Sequence, residues 1–163
     1  MLHVIRYNRR AAVDYARTWA FKRNPRFMDF TNLGGDCTNF ASQCLYAGSG
    51  VMNYTPDTGW YYISPTRRAP AWSGVVFLGR FLTENKGRGP FARVAAPDTL
   101  EIGDLVQLYN GARYYHTLVV VSTSDGAIKI ATHTTDSYMR DLTSYNAAGM
   151  RGLHILGVRT PAY

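Results

Sequence analysis

The sequence predicts an α+β domain, with helices gathered in its first half and an antiparallel sheet in its last third. Three observations predict it. Apolar residues recur at helical spacing after Asn8 and again after Cys37, the period changes to strand-like runs beyond Leu100, and no repeat, linker or low-complexity tract interrupts the 163 residues. A chain of this length is read as one domain, 1–163, able to bury a core without disulfides or a structural metal.

Over Asn8 to Phe21, Ala12, Tyr15, Ala16 and Trp19 share one helical face, Asn8 supplies an N-cap and Asn24-Pro25 stops the run. Gly34-Gly35 breaks the chain before a second helix from Cys37 to Ala47, with Asp36 as its N-cap and Gly48 ending it. Residues 49–99 open as a long loop anchored by Trp60, Tyr61, Tyr62 and Trp72, then carry a helix over Ser73 to Glu84. Leu105 to Tyr109 is a strand, Asn110-Gly111 a two-residue hairpin turn, and Tyr114 to Val121 the next strand. Thr123 to Gly126 turns the chain into Ala127 to His133, and Leu153 to Val158 closes the sheet.

Hydrophobic residues make up 46% and charged residues 18%, against about 25% charged in an average soluble domain, which excludes disorder. No run approaches the roughly 18 apolar residues of a membrane span. No apolar segment of an export signal follows Met1, so the chain as written is expected to stay in the cytoplasm unless it is a trimmed piece. The net charge of +7 is concentrated: residues 6–26 hold seven basic side chains against the single acid Asp14. Such a face suits an anionic polymer or lipid headgroups, or is a solvated helix surface. With no nucleic-acid-binding motif beside it, nucleic acid is not an expected partner. The 12 Tyr, 7 Phe and 3 Trp fit aromatic-lined clefts or the rim of a core.

The most informative run is Gly34 to Cys44. With Asp36 as the cap, Cys37 sits in the first turn of its helix, where unpaired N–H groups and the positive end of the dipole favour a thiolate. A nucleophilic thiol with a lowered pKa is expected there, its own backbone N–H serving as one oxyanion donor. Cys44, seven residues on, stands about 10.5 Å away along the helix at ~1.5 Å per residue. A disulfide needs under about 7 Å, and the spacing matches no zinc pattern, so Cys44 is read as core and no metal or cofactor is expected.

A cysteine nucleophile needs a base and a group to orient it. Of four histidines, His3 lies in the basic arm and His154 at the start of the last strand, whereas His116 begins one strand and His133 ends the next. If Thr123 to Gly126 is a four-residue turn, Ser122 pairs with Ala127 and His116 falls opposite His133, as a base beside its orienting partner. A slip of one residue turns His133 to the other face.

The run Gly34 to Leu45, Gly-Gly-Asp-Cys-Thr-Asn-Phe-Ala-Ser-Gln-Cys-Leu, resembles the bacterial putative amidase domain family. So do Tyr7-Asn8-Arg9-Arg10-Ala11-Ala12-Val13 and Ala131-Thr132-His133-Thr134-Thr135-Asp136, and Gly103-Asp104-Leu105-Val106 is similar to the Gly-Asp-Leu motif of the related papain-like NlpC and CHAP cell-wall hydrolases. The resemblance implies a papain-like fold, N-terminal helices with the Cys packed on an antiparallel sheet with the His, and hydrolysis of an amide in peptide or peptidoglycan-derived substrates. It matches Cys37 to the nucleophile, His116 to the base and His133 to the third polar residue.

The expected function is therefore a thiol amidase or peptidase working through an acyl-enzyme. His133, or else Asp136, orients His116; Asp36 and Asn32 support the thiol and oxyanion; Trp60 and Trp72 line the cleft. Residues 6–26 meet an anionic wall polymer, and a place at the cell envelope follows from the resemblance alone. Acyl transfer with the same triad is the alternative within enzymes, and a non-catalytic envelope-binding module the alternative outside them.

Overall fold

The computed structural model describes residues 1–162. Its elements in chain order are β1 (Leu2–Ile5), α1 (Arg9–Trp19), α2 (Cys37–Ser49), β2 (Tyr62–Ser64), β3 (Arg67–Arg68), α3 (Pro70–Ser73), α4 (Val75–Glu84), β4 (Gly89–Ala95), β5 (Leu105–Tyr109), β6 (Tyr114–Ser122), β7 (Lys129–Thr132), β8 (Ser137–Asp141) and β9 (Gly149–Pro161). Seven of the strands form one antiparallel sheet in the order β1-β9-β5-β6-β7-β8, with β4 also on β9, while β2 and β3 pair separately. The expected α+β class stands.

Local chemistry explains the helices. Asn8 accepts the Ala11 amide at 3.0 Å, and Ala12, Val13 and Ala16 form the buried stripe of α1. Helix α2 contains no charged residue, and Cys37 through Leu45 are buried without a break, as in a helix enclosed on all sides. Its end corrects the expectation: Gly50, at φ 65°, is the left-handed cap, and Gly48 lies inside the helix against Tyr7. The helix expected over Ser73 to Glu84 is two pieces, α3 with Pro70 in its first turn and α4, joined at Gly74 in an extended conformation.

The sheet has an apolar core on each face. Leu105, Val119, Ala131, Leu153 and Ile155 pack with α1, α2 and α4. Val106, Leu108, Leu118, Val120 and Ile130 pack on the other face with Leu100 and Leu142 from the loops. Leu153 to Val158 does not close the sheet: it is the middle of the 13-residue β9, flanked by β1, β4 and β5. The Asn110-Gly111 turn is wider than two residues, since Tyr109 pairs with Tyr114 and the Asn110 amide reaches the Arg113 carbonyl at 3.1 Å.

The β6–β7 register decides the site. Val119 pairs with Ala131 and Val120 with Ile130, and an irregularity then brings Ser122 opposite Lys129, not Ala127. Ser122 is thus two residues from its expected partner, and the Val119–Ala131 pairing is one residue away from the expected Val119–Ile130. Continued along the strands, it sets Thr117, and not His116, level with His133.

Candidate active site

Helix α2 begins over strand β6. The Thr38 hydroxyl lies 2.9 Å from that of Thr117, joining the first turn of the helix to the strand. Cys37 is the first helical residue, 7% exposed. Its thiol meets the Thr117 backbone amide and lies 3.8 Å from the Thr38 hydroxyl. Thr117 follows His116 directly, so the sulfur lies level with the strand one residue past the imidazole.

The thiol pKa departs from the sequence reading. Burial pushes the Cys37 thiol above its ordinary value, and the Thr117 amide and Thr38 hydrogen bonds only partly offset it, with the Asp36 charge adding to the rise. A helix start favours a thiolate when water still reaches it; here desolvation wins. Burial moves His116 the opposite way, to about 4, with the Arg140 charge pushing in the same direction. At neutral pH the imidazole is an uncharged base. Among the described residues no hydrogen bond is made to its ring, which stacks on Tyr115 at 6.3 Å and meets Tyr145 edge-on at 6.0 Å.

His133 is elsewhere. It is 1% exposed, with Nδ1 at 2.5 Å from Asp36 Oδ2 and Nε2 at 2.8 Å from the Trp19 carbonyl, and its ring stacks on Phe40 at 4.1 Å. Both nitrogens are thus engaged, and neither faces His116. The reason is the register: His133 shares Thr117's face, toward the helices, whereas His116 pairs with Leu108 on the opposite face. Asp36 corrects a second expectation. It stands at the N-cap position of α2, but its side chain makes no capping bond and accepts instead from the Phe30 amide (2.8 Å), Asn39 Nδ2 (2.9 Å) and His133. The residue before Cys37 is fixed from three directions.

The remaining expected residues disperse. Asp136 forms a two-pronged pair with Arg23 at 2.8 and 3.0 Å and does not engage His116. Asn32 is exposed in the turn before Gly34. Trp60 and Trp72 line no cleft: both are fully buried, 5.0 Å apart, and donate to Ser42 Oγ and Asn39 Oδ1. Of the seven basic side chains in residues 6–26, Arg9 is drawn inward by Asp104 at 2.7 Å and Arg23 by Asp136, which leaves Arg6, Arg10, Arg17, Lys22 and Arg26 exposed. Cys44 is buried core, as expected.

The Gly-Asp-Leu motif has a structural task. Asp104 is fully buried and accepts from Arg9, from His154 at 2.8 Å and from the Glu101 and Ile155 amides, both at 2.9 Å. It ties the start of α1 to β9. A cavity of about 400 Å³ lies far from this chemistry, lined by Asn53, Phe77, Arg80, Phe81 and Lys86, and includes neither Cys37 nor His116. The thiol and the imidazole, and not this cavity, supply the reactive groups.

Sequence reasoning passes over Thr38 and Thr117, which tie the thiol to β6, and Tyr145, which meets His116. Besides meeting His116, the Tyr145 ring takes the Arg140 guanidinium at 3.8 Å. Nothing in the sequence marks it among 12 tyrosines, because its position depends on the loop after β8 folding back under β6.

Comparison with known proteins agrees with this frame. The family described as the putative amidase domain matches residues 6–156. The chain is 32% identical over 149 residues to the uncharacterized protein YhbB of Bacillus subtilis (strain 168), covering 85% of this chain and 47% of the relative. It thus spans about half the length of that relative. No solved structure matches.

Proposed function

The chain belongs to the putative amidase domain family, and from that premise we propose that it is a cysteine-dependent amide hydrolase in which Cys37 is the nucleophile and His116 the base. The observation that carries this reading is the meeting of the Cys37 thiol with the Thr117 amide, one residue from a half-buried, uncharged imidazole. Both partners rest neutral. As Sγ attacks the substrate carbonyl carbon, the thiol proton passes to His116 and the carbonyl π electrons move to oxygen. Collapse breaks the C–N bond, the amine leaves with the proton from His116, and water then hydrolyses the thioester with His116 again as base.

The substrate class we propose is cell-wall peptide. The exposed Arg6, Arg10, Arg17, Lys22 and Arg26 hold the enzyme near an anionic polymer without taking part in the chemistry. The test is to incubate purified muropeptides with the protein and read products by mass. Gain of one water per cleaved bond, abolished by Cys37→Ala, is expected, while binding of the variant to whole walls persists and weakens with salt, which screens surface charge over about 10 Å at 0.1 M. Products unchanged by Cys37→Ala end the enzyme reading. Cleavage of small synthetic amides but of no muropeptide ends only the substrate.

A further inference from the structure

On the helix-facing side of the sheet, Leu105, Val119 and Leu153 make an apolar row, and two residues further along each strand stand Gln107, Thr117 and Arg151. Gln107 pairs with Thr117 on one side and with Arg151 on the other. Hydrogen bonds run along this polar row. Arg151 donates from Nε and Nη2 to Gln107 Oε1, at 3.3 and 2.8 Å. Gln107 Nε2 donates to the Val75 carbonyl at 2.9 Å and to the Thr117 hydroxyl at 3.4 Å. The Thr117 hydroxyl lies 2.9 Å from that of Thr38, the residue after Cys37. A half-buried arginine is therefore tied, side chain by side chain, to the strand residue under the thiol.

The guanidinium is held on three sides. Gln107 takes one edge, its carbon lies 3.8 Å from the centre of the Tyr114 ring, and Nη2 fits against α4 only because residue 79 is glycine, where a Cβ would stand 2.2 Å away. None of these partners is an anion, and among the described residues Arg151 makes no ion pair. Nη1 makes no hydrogen bond among the described residues and is not sealed from solvent. A fixed, partly desolvated guanidinium with unspent donors is matched by a carboxylate, the acceptor with which arginine makes its strongest and most directional bonds.

Resting on the reading of Cys37 as nucleophile, we infer that Arg151 is a specificity residue that binds a carboxylate of the substrate, so the amides cut are those of acidic peptides. The hydrogen bonds of the row bound the spacing. Nη2 lies within about 9 Å of the Thr117 hydroxyl and about 16 Å of the thiol. An extended peptide covers about 3.3–3.6 Å per residue, so the bound carboxylate belongs to a residue at most about four positions from the bond attacked.

Paired thiol reagents test this without relying on turnover. Iodoacetyl peptides ending in Glu-amide or Gln-amide, with zero to three Ala as spacer, carry the same reactive carbon and differ in one charge. Labelling of Cys37 is followed by mass spectrometry. A hydrogen bond to a charged group corresponds to about 10–100-fold, so at one spacing the Glu reagent is expected to label the wild type faster by that factor. In Arg151→Gln the ratio is expected to fall to within about twofold of unity. Equal rates at every spacing in the wild type, or a ratio kept in Arg151→Gln, overturn the inference. A ratio falling as far in Arg17→Gln reports the overall positive charge and overturns it too. The unaltered protein gives a second reading: label from the Glu reagent is expected to shield Arg151 from phenylglyoxal, and equal modification after either label refutes the contact. Muropeptide cleavage that survives Cys37→Ala removes the underlying reading, whereas cleavage lost there with equal labelling by both reagents removes Arg151 alone.

Discussion

Replacing His133 with alanine distinguishes a brace from an orienting residue. The ring is buried between the Asp36 carboxylate at 2.5 Å and the Trp19 carbonyl at 2.8 Å, and packs on Phe40. Its removal leaves Asp36, itself fully buried, with the Phe30 amide, Asn39 and an Arg23 guanidinium at 3.7 Å. It also leaves the Trp19 carbonyl without that partner. Each buried group left short of a partner costs about 1–3 kcal/mol, so the Asp36 carboxylate and the Trp19 carbonyl together lose about 2–5 kcal/mol. Urea unfolding of His133→Ala is expected to show a loss in that range. In a cycle with Asp36→Asn, the double variant is expected to lose at least about 1 kcal/mol less than the two single losses added, since groups in one network are coupled. A loss under about 1 kcal/mol accompanied by a collapse of turnover is what an orienting partner of His116 gives, and it would refute the brace.

Two further predictions follow from the same geometry. His116 is expected to titrate near 4 by NMR, below the ordinary 6.5, so the unfolded chain takes up this proton first as pH falls. Its contribution to stability is full above pH 6.5 and is lost between about 6.5 and 4, at most about 3 kcal/mol at ~1.36 kcal/mol per pKa unit, and His116→Asn removes it; a midpoint near 6.5 contradicts the burial argument. Gly48→Ala places a Cβ 2.4 Å from Tyr7 Cε1 and 2.8 Å from the Asn8 carbonyl, so thermal melts are expected to show a loss of about 1–3 kcal/mol despite alanine's better helix propensity, and a stabilised variant rejects that packing.

What the sequence told and what it hid divide along one physical line. Features set by neighbours in the chain were readable: the Asn8 cap of α1, the start of α2 at Cys37, and β5 over Leu105–Tyr109. Features set by distant partners were not. Strand β4 opens with Gly89-Pro90 and β8 is largely polar, so neither announces itself, and both exist through pairing, with β9 and β7 respectively. Only Leu153 to Val158 of the 13-residue β9 is legible as a strand, and the glycine just before it, at 152, is what lets the Ala95 carbonyl and Leu100 come close, as a Cβ there would stand 2.6 Å from that oxygen.

The candidate site follows the same line, and one residue of register carries the difference. Strand side chains alternate faces, so a single-step slip cannot leave two histidines as neighbours; it sends them to opposite sides of the sheet. On the helix side, His133 and Asp36 fix the backbone that enters α2, and Thr117 anchors its first turn through Thr38. On the other side, His116 and Tyr145 lie together. The Thr117 carbonyl accepts from Thr132 at the end of β7, so beyond that point the β6 edge has no further β7 partner, and the Thr117 amide is free to meet the Cys37 thiol. On the proposed reading the nucleophile and base are brought together by two consecutive residues of β6 and not by pairing between strands: Thr117 anchors the helix that bears the thiol, and His116 presents the imidazole.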